Sequence, residues 1–160
     1  MHQNKIYLAG PFFSDLQIKR IHQTKELLAQ NPTIDADHIF LPMEQDSEAQ
    51  FEIGTLPWQQ QTFNMDVRHI HQADCIVAVL DYDHNQEGVC MPDSGTIFEI
   101  GVAYQANIPI ILVHYEEVDT LNLMLAQSYT RFFNGEAKVQ ELATYDFNKL
   151  AHYQEDINVI

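Results

Sequence analysis

The sequence predicts an α/β domain in three layers, with a central parallel sheet of about five strands and helices on both faces. Three observations carry that expectation. The chain has 160 residues, one domain's worth from 1 to 160, and at that length roughly 70% of the unfolded surface can be buried without a disulfide or metal to hold the fold. Hydrophobic residues make up 46% and charged residues 19%, the balance of a globular core and not of a disordered chain or coiled coil. Apolar runs without alternation recur along the chain, and stretches of helical periodicity separate them.

The first run, Ile6-Tyr7-Leu8-Ala9, reads as a strand buried on both faces, as parallel strands are. Residues 14–30 follow with Leu16, Ile21, Leu27 and Leu28 at helical spacing. Ile39-Phe40-Leu41 gives a second, shorter strand, and residues 58–72 a second helix. The run from Cys75 to Leu80 is the third strand, 96–106 the third helix, Ile108 to Val113 the fourth strand and 121–129 the fourth helix. A fifth short strand is expected near Ala137 to Gln140, because Gly135 offers a turn before it. Strand and helix thus alternate, the pattern of a parallel sheet covered on both sides.

Charge narrows the partners. Asp and Glu number 23 against 8 Lys and Arg, a formal net charge of −15, and the cations are scattered. A polyanion-binding face needs clustered cations, so nucleic acid and anionic membrane are not expected partners, whereas a neutral small molecule is easily accommodated. Cys75 and Cys90 are too few for a disulfide framework and are expected to be reduced thiols. The opening residues lack an apolar signal core and no apolar run is long enough to span a bilayer, so the expected location is cytoplasmic.

In open parallel sheets ligands sit outside the carboxyl ends of the strands. Three segments fall there: Gly10-Pro11-Phe12-Phe13, residues 42–57 and residues 81–95, the last two long for α/β connections. None carries a G-x-G-x-x-G or a P-loop. Phe12 and Phe13 can instead form a stacking wall for a planar ring, or simply be core residues beside the strand. No metal or other cofactor is expected, since His69-Ile70-His71 places its imidazoles on different helix faces. No G-x-S-x-G elbow or Cys–His arrangement suggests a Ser or Cys nucleophile.

The carboxylates are more informative. From Thr96 to Tyr104, Glu99 is the only charged group among Ile, Phe, Val, Ala and Gly, in a helix apolar nearly all round. An acid there is expected to be buried, at a cost of several kcal/mol unless compensated. Two readings remain open. Thr96-x-x-Glu99 fits a capping box, with Asp93 as a loop or N-cap residue. Alternatively, the positive helix N-terminus keeps Glu99 ionised as a nucleophile, with Asp93 trading a proton with a leaving group, the two-carboxylate logic of retaining glycosyl transfer. Asp66 is a further candidate, or a solvated face residue. Tyr7 places a phenol in a buried strand, where its hydroxyl needs a partner. Asn122 can be the N-cap of the last long helix.

Taken in order, these residues resemble the nucleoside 2-deoxyribosyltransferase family. The features are Ile6-Tyr7 with Phe12-Phe13, Asn31-Pro32-Thr33-Ile34-Asp35, Trp58 ahead of Asp66, and Ala73-Asp74. Asp93 ahead of Glu99-Ile100-Gly101-Val102-Ala103-Tyr104 follows, then Asn122-Leu123-Met124. The resemblance runs from about residue 5 to 130 and implies a single-domain Rossmann-like (flavodoxin-like) fold. It implies a glycosyltransferase (pentosyltransferase) of nucleoside salvage that exchanges the base of a deoxyribonucleoside with a free purine or pyrimidine. In it Glu99 is the nucleophile, Tyr7 orients that carboxylate and Asp93 manages the proton of the base. Asp66 holds the sugar 3′-hydroxyl, and Gly10, Phe12, Phe13 and Gln45 lie at the base. The resemblance further implies a homo-oligomer, a hexamer built as a trimer of dimers, with Asn122 and Met124 reaching a neighbouring subunit's site. The tail Asn158-Val159-Ile160 takes no role from it.

Two other readings use the same scaffold. A hydrolase of deoxynucleoside 5′-monophosphates needs hydroxyl and cationic groups around a phosphate, where this chain has Pro-Phe-Phe and an acidic balance. A non-catalytic nucleotide sensor has no need of Tyr7, Asp93 and Glu99 together. The segments 42–57 and 81–95 are candidates for a cover that keeps water from the intermediate.

Overall fold

Side-chain alternation within the buried strands sets the layering. In a computed structural model describing residues 2–45, 50–81, 83–84 and 90–160, strand β1 (Asn4–Ala9) sends Ile6 and Leu8 to one face. Tyr7 and Ala9 go to the other. Strand β3 (Cys75–Val79) repeats the division with Cys75, Val77 and Val79 against Ile76 and Ala78. Both faces are apolar, which is why neither strand shows polar alternation in sequence. Helix α1 (Asp15–Gln30) covers the first face through Ile21 and Leu28. The second is covered by α2 (Leu56–Gln72) through Ile70 and by α3 (Ser94–Gln105) through Ile100 and Ala103.

The remaining strands are β2 (Ile34–Phe40), β4 (Ile110–His114) and β5 (Arg131–Asn134). All five pair in parallel in the order β2-β1-β3-β4-β5. This is the expected flavodoxin-like order, which reverses direction between β1 and β3 and opens a crevice at their carboxyl ends.

The fifth strand does not lie at 137–140. Those residues continue into α5 (Glu136–Val139) and a following 3₁₀ turn, while β5 precedes Gly135. Gly135, at φ +96°, closes the strand and starts the helix, so the turn follows the strand instead of leading into it. The fourth helix is also shorter than expected. It is a single turn, α4 (Leu123–Ala126), because Thr120–Leu121 pairs in parallel with Asn158–Val159 and Asn122 caps the turn behind it.

Other residues that carry the resemblance serve the frame. Asn31 is buried, accepting from Thr33 N–H at 2.9 Å and donating to Leu142 and Tyr145 carbonyls at 2.7 and 2.8 Å, which ties the α1–β2 turn to the C-terminal region. Asp74 accepts from Lys5 N–H at 2.8 Å and fixes the start of β3 beside β1. Among the described residues, no helix is long and apolar enough to cross a membrane. Cys75 is a buried free thiol, raised in pKa by burial; the side chain of Cys90 lies outside the described residues.

Candidate active site

At the crevice, β1 ends in Gly10. A Cβ there would stand 2.7 Å from Ile21 Cδ1 and 3.1 Å from Val79 Cβ, so the chain can turn out between α1 and β3 only without a side chain. The turn is then pinned. Gln17, itself buried, accepts from Phe13 N–H at 2.9 Å, and Ser14 caps α1 by accepting from Gln17 N–H. The outcome for Phe12 and Phe13 is exposure, at 39% and 73%, with ring centroids 5.1 Å apart. They are wall residues of the crevice and not part of the core.

Across the crevice, Asp93 caps α3. Its Oδ2 accepts from Thr96 N–H at 2.7 Å and from the Thr96 hydroxyl at 2.9 Å, and Oδ1 takes no part in that cap. The Thr96–Glu99 capping box therefore does not form, since Thr96 is already spent on the Asp93 cap. Glu99 accepts instead from the Tyr7 hydroxyl, at 2.5 Å to Oε1. The pair is separated by 92 residues and is brought together because Tyr7 faces the α3 side of the sheet.

The environment moves both groups. Burial raises the Tyr7 phenol far above its ordinary range, with the Glu99 and Asp66 charges acting in the same sense, so Tyr7 stays protonated and donates. Burial also pushes Glu99 up, to about 7, with Asp66 and Asp93 adding to the rise and the Tyr7 bond opposing it. The support expected from the helix N-terminus reaches Glu99 only weakly. Glu99 is the sixth residue of α3, beyond the first turn where the dipole acts.

Glu99 opens on a cavity of about 260 Å³, and Tyr7, fully buried, holds it without being among the lining residues. Gly10, Phe12 and Phe13 line it from the β1 turn, Asp66 from α2, and Asp93 and Glu99 from α3. Asp66 is half-buried in that wall and is not a solvated face residue. Six further lining residues have no role that the sequence makes legible: Pro42, Met43, Trp58, Thr62, Gly95 and Thr96. Trp58, Thr62 and Asp66 recur every fourth residue on one face of α2, a spacing that identifies Thr62 once the other two are considered together. Pro42 and Met43 belong to a 3₁₀ turn after β2, and turns of that kind carry no periodic signal.

Three expected contacts lie outside this cavity. Gln45 donates to the Leu41 carbonyl at 3.4 Å and lines a neighbouring groove with Phe40 and His69. Asn122 accepts from Met124 N–H at 2.9 Å as the cap of α4, and both residues are exposed. Of the expected covering segments, residues 46–49, 82 and 85–89 fall outside the described residues. Among the described residues, no group of three or more His, Cys, Asp or Glu is placed to hold a metal ion.

A five-stranded sheet of this order, with a phenol-held glutamate at its switch point, defines an α/β protein built to act on a small molecule. The chain belongs to the nucleoside 2-deoxyribosyltransferase family, whose model matches residues 6–153. It is 33% identical over 153 residues to a nucleoside deoxyribosyltransferase of Limosilactobacillus fermentum, covering 90% of this chain and 86% of that one. To the nucleoside deoxyribosyltransferase of Lactobacillus leichmannii it is 25% identical over 158 residues, covering 93% of each. The solved 2-deoxyribosyltransferase of Bacillus psychrosaccharolyticus superposes with a TM-score of 0.77 at 28% identity, covering 94% of this chain and 98% of that one.

Proposed function

We propose that the protein exchanges the nucleobase of 2′-deoxyribonucleosides by a retaining, two-step transfer through a deoxyribosyl ester of Glu99. The single observation that carries the reading is the Tyr7 hydroxyl on Glu99 Oε1, at a cavity also lined by Asp66 and Asp93. In the first step a Glu99 oxygen forms a bond to C1′ as the N-glycosidic bond breaks. Its electron pair leaves on the base nitrogen, which takes a proton from Asp93. In the second step the nitrogen of an incoming base bonds to C1′, the ester C–O bond breaks, and its electron pair returns to the Glu99 carboxylate. Asp93 takes back the proton. Two inversions give net retention, and a departing first product gives ping-pong kinetics.

The rest of the wall suits such a substrate. Phe12, Phe13 and Trp58 offer apolar faces to a base, and Asp66 accepts from a sugar hydroxyl. Among the described residues the lining brings three carboxylates and no lysine or arginine, which fits an uncharged 5′-hydroxyl and not a phosphate dianion. Exposed Leu123 and Met124, at 50% and 75%, fit a homo-oligomer in which Asn122 and Met124 complete a neighbour's site, in a hexamer of the kind the resemblance implies. The role is nucleoside salvage in the cytoplasm.

The test is to mix a deoxynucleoside with a foreign base and follow products. The expected result is the swapped nucleoside with little free sugar, and quenched reactions should contain deoxyribose esterified to Glu99. Free deoxyribose as the main product would overturn the transferase reading in favour of a hydrolase. No turnover of any deoxynucleoside would favour the sensor.

A further inference from the structure

Behind the catalytic pair three rings lie in a row. Tyr7 and Phe40 stack with centroids 5.4 Å apart and planes 25° from parallel; Phe40 and His69 stack at 3.8 Å and 12°. Each contact follows from the fold. Tyr7 and Phe40 are register partners across β1 and β2, and His69 lies one helical turn beyond Asp66 on α2. The imidazole is itself held, with Nδ1 2.9 Å from the Met65 carbonyl. One helix thus supplies a carboxylate to the cavity and the outermost ring of the stack behind it.

We propose that Phe40 and His69 are positioning residues for the Tyr7–Glu99 pair, acting through this stack on the placement of the phenol. The inference rests on the reading of Glu99 as nucleophile given above. A phenol hydroxyl lies at the far end of its side chain, so a small tilt of the ring displaces it, and the O–H prefers the plane of the ring. A fixed ring face therefore sets both the position of the oxygen and the direction of its proton. The hydrogen bond cannot do this alone, since one contact at the ring's tip leaves the tilt free. A nucleophile loosely held by its partner loses rate steeply, because productive geometry is needed to within about half an ångström.

The test compares His69→Ala, Phe40→Leu and the rescue His69→Phe with the unaltered protein. One readout needs no turnover: the pH titration of the Glu99 side-chain carboxyl, followed by carbon-13 NMR without substrate. The groups facing that carboxyl are Tyr7 from β1, Asp66 from α2 and Asp93 at the head of α3. Among the described residues only the Tyr7 bond lowers its pKa, so a loosened phenol should move the titration to higher pH in His69→Ala and Phe40→Leu, and His69→Phe should restore it. In base exchange, His69→Ala is expected to lower kcat by roughly tenfold with KM changed less than about twofold. An unmoved titration with unchanged kcat in His69→Ala overturns the proposal. So does a loss that His69→Phe fails to restore. If no form of the protein exchanges bases, the reading of the reaction fails, while the titration still decides the stack.

Discussion

Replacing Glu99 by glutamine removes one negative charge from the cavity while keeping the shape of the side chain and an oxygen for Tyr7. Burial puts a cost on that charge. The Glu99 carboxyl is raised from 4.5 to about 7 by burial and by Asp66 and Asp93, against the Tyr7 bond. Between those values the folded protein binds a proton that the unfolded chain has released, so stability falls as pH rises, by about 1.4 kcal/mol per unit. The loss begins near pH 4.5 and is complete above about 7, reaching roughly 3 kcal/mol. Glutamine does not titrate and escapes it. Urea unfolding of both proteins at one fixed protomer concentration, at pH 4.5 and pH 8, should therefore show the glutamine variant gaining roughly 3 kcal/mol on the unaltered protein across that interval. The same variant should have lost base exchange. A stability difference that does not change with pH, or one that changes in favour of glutamate, would refute the idea of a charge held at a cost. Retained exchange would refute the nucleophile.

Three further outcomes are expected. Tyr7→Phe removes a hydrogen bond that lowers the Glu99 pKa, so the acid limb of kcat/KM should move to higher pH and kcat should fall by about 10- to 100-fold, read from pH–rate profiles. Asp93→Asn keeps an N-cap oxygen while Asp93→Ala does not, so thermal unfolding should separate the two by about 1 kcal/mol. Both should lose proton transfer to the base, so exchange rates fall in the two alike. Gly10→Ala forces a methyl against Ile21 and Val79 and should lower stability by about 1–3 kcal/mol in urea unfolding.

The sequence carried most of the sheet and little of its edges. Ile6 to Ala9 and Cys75 to Leu80 are legible because central parallel strands are buried on both faces and read as continuous apolar runs. The edge strands lack that signature. β2 starts at Ile34, but Asp35, Ala36, Asp37 and His38 are not buried, so only its last residues looked like a strand. β5 is four residues long with Arg131 and Asn134 at its ends, and only Phe132 and Phe133 speak for it. Glu99 stood out as a charge in an apolar helix, but a capping box explained it as well as a nucleophile did. The capping box depended on whether Asp93 or Thr96 caps α3, and Asp93 does.

What the sequence determined by itself is the layered α/β plan, the family, and a short set of candidate groups, because burial periodicity and ordered motifs are properties of the chain read locally. Which candidates share one cavity was decided only in three dimensions. Tyr7 meets Glu99 through the facing of one strand and the position of one helix, and Phe40 and His69 back the phenol through the register of β2 on β1 and the path of α2. Glu99 is raised to about 7 by burial, by Asp66 from another helix and by Asp93 at the head of its own. Distance and desolvation are relations between segments, and no stretch of sequence contains them.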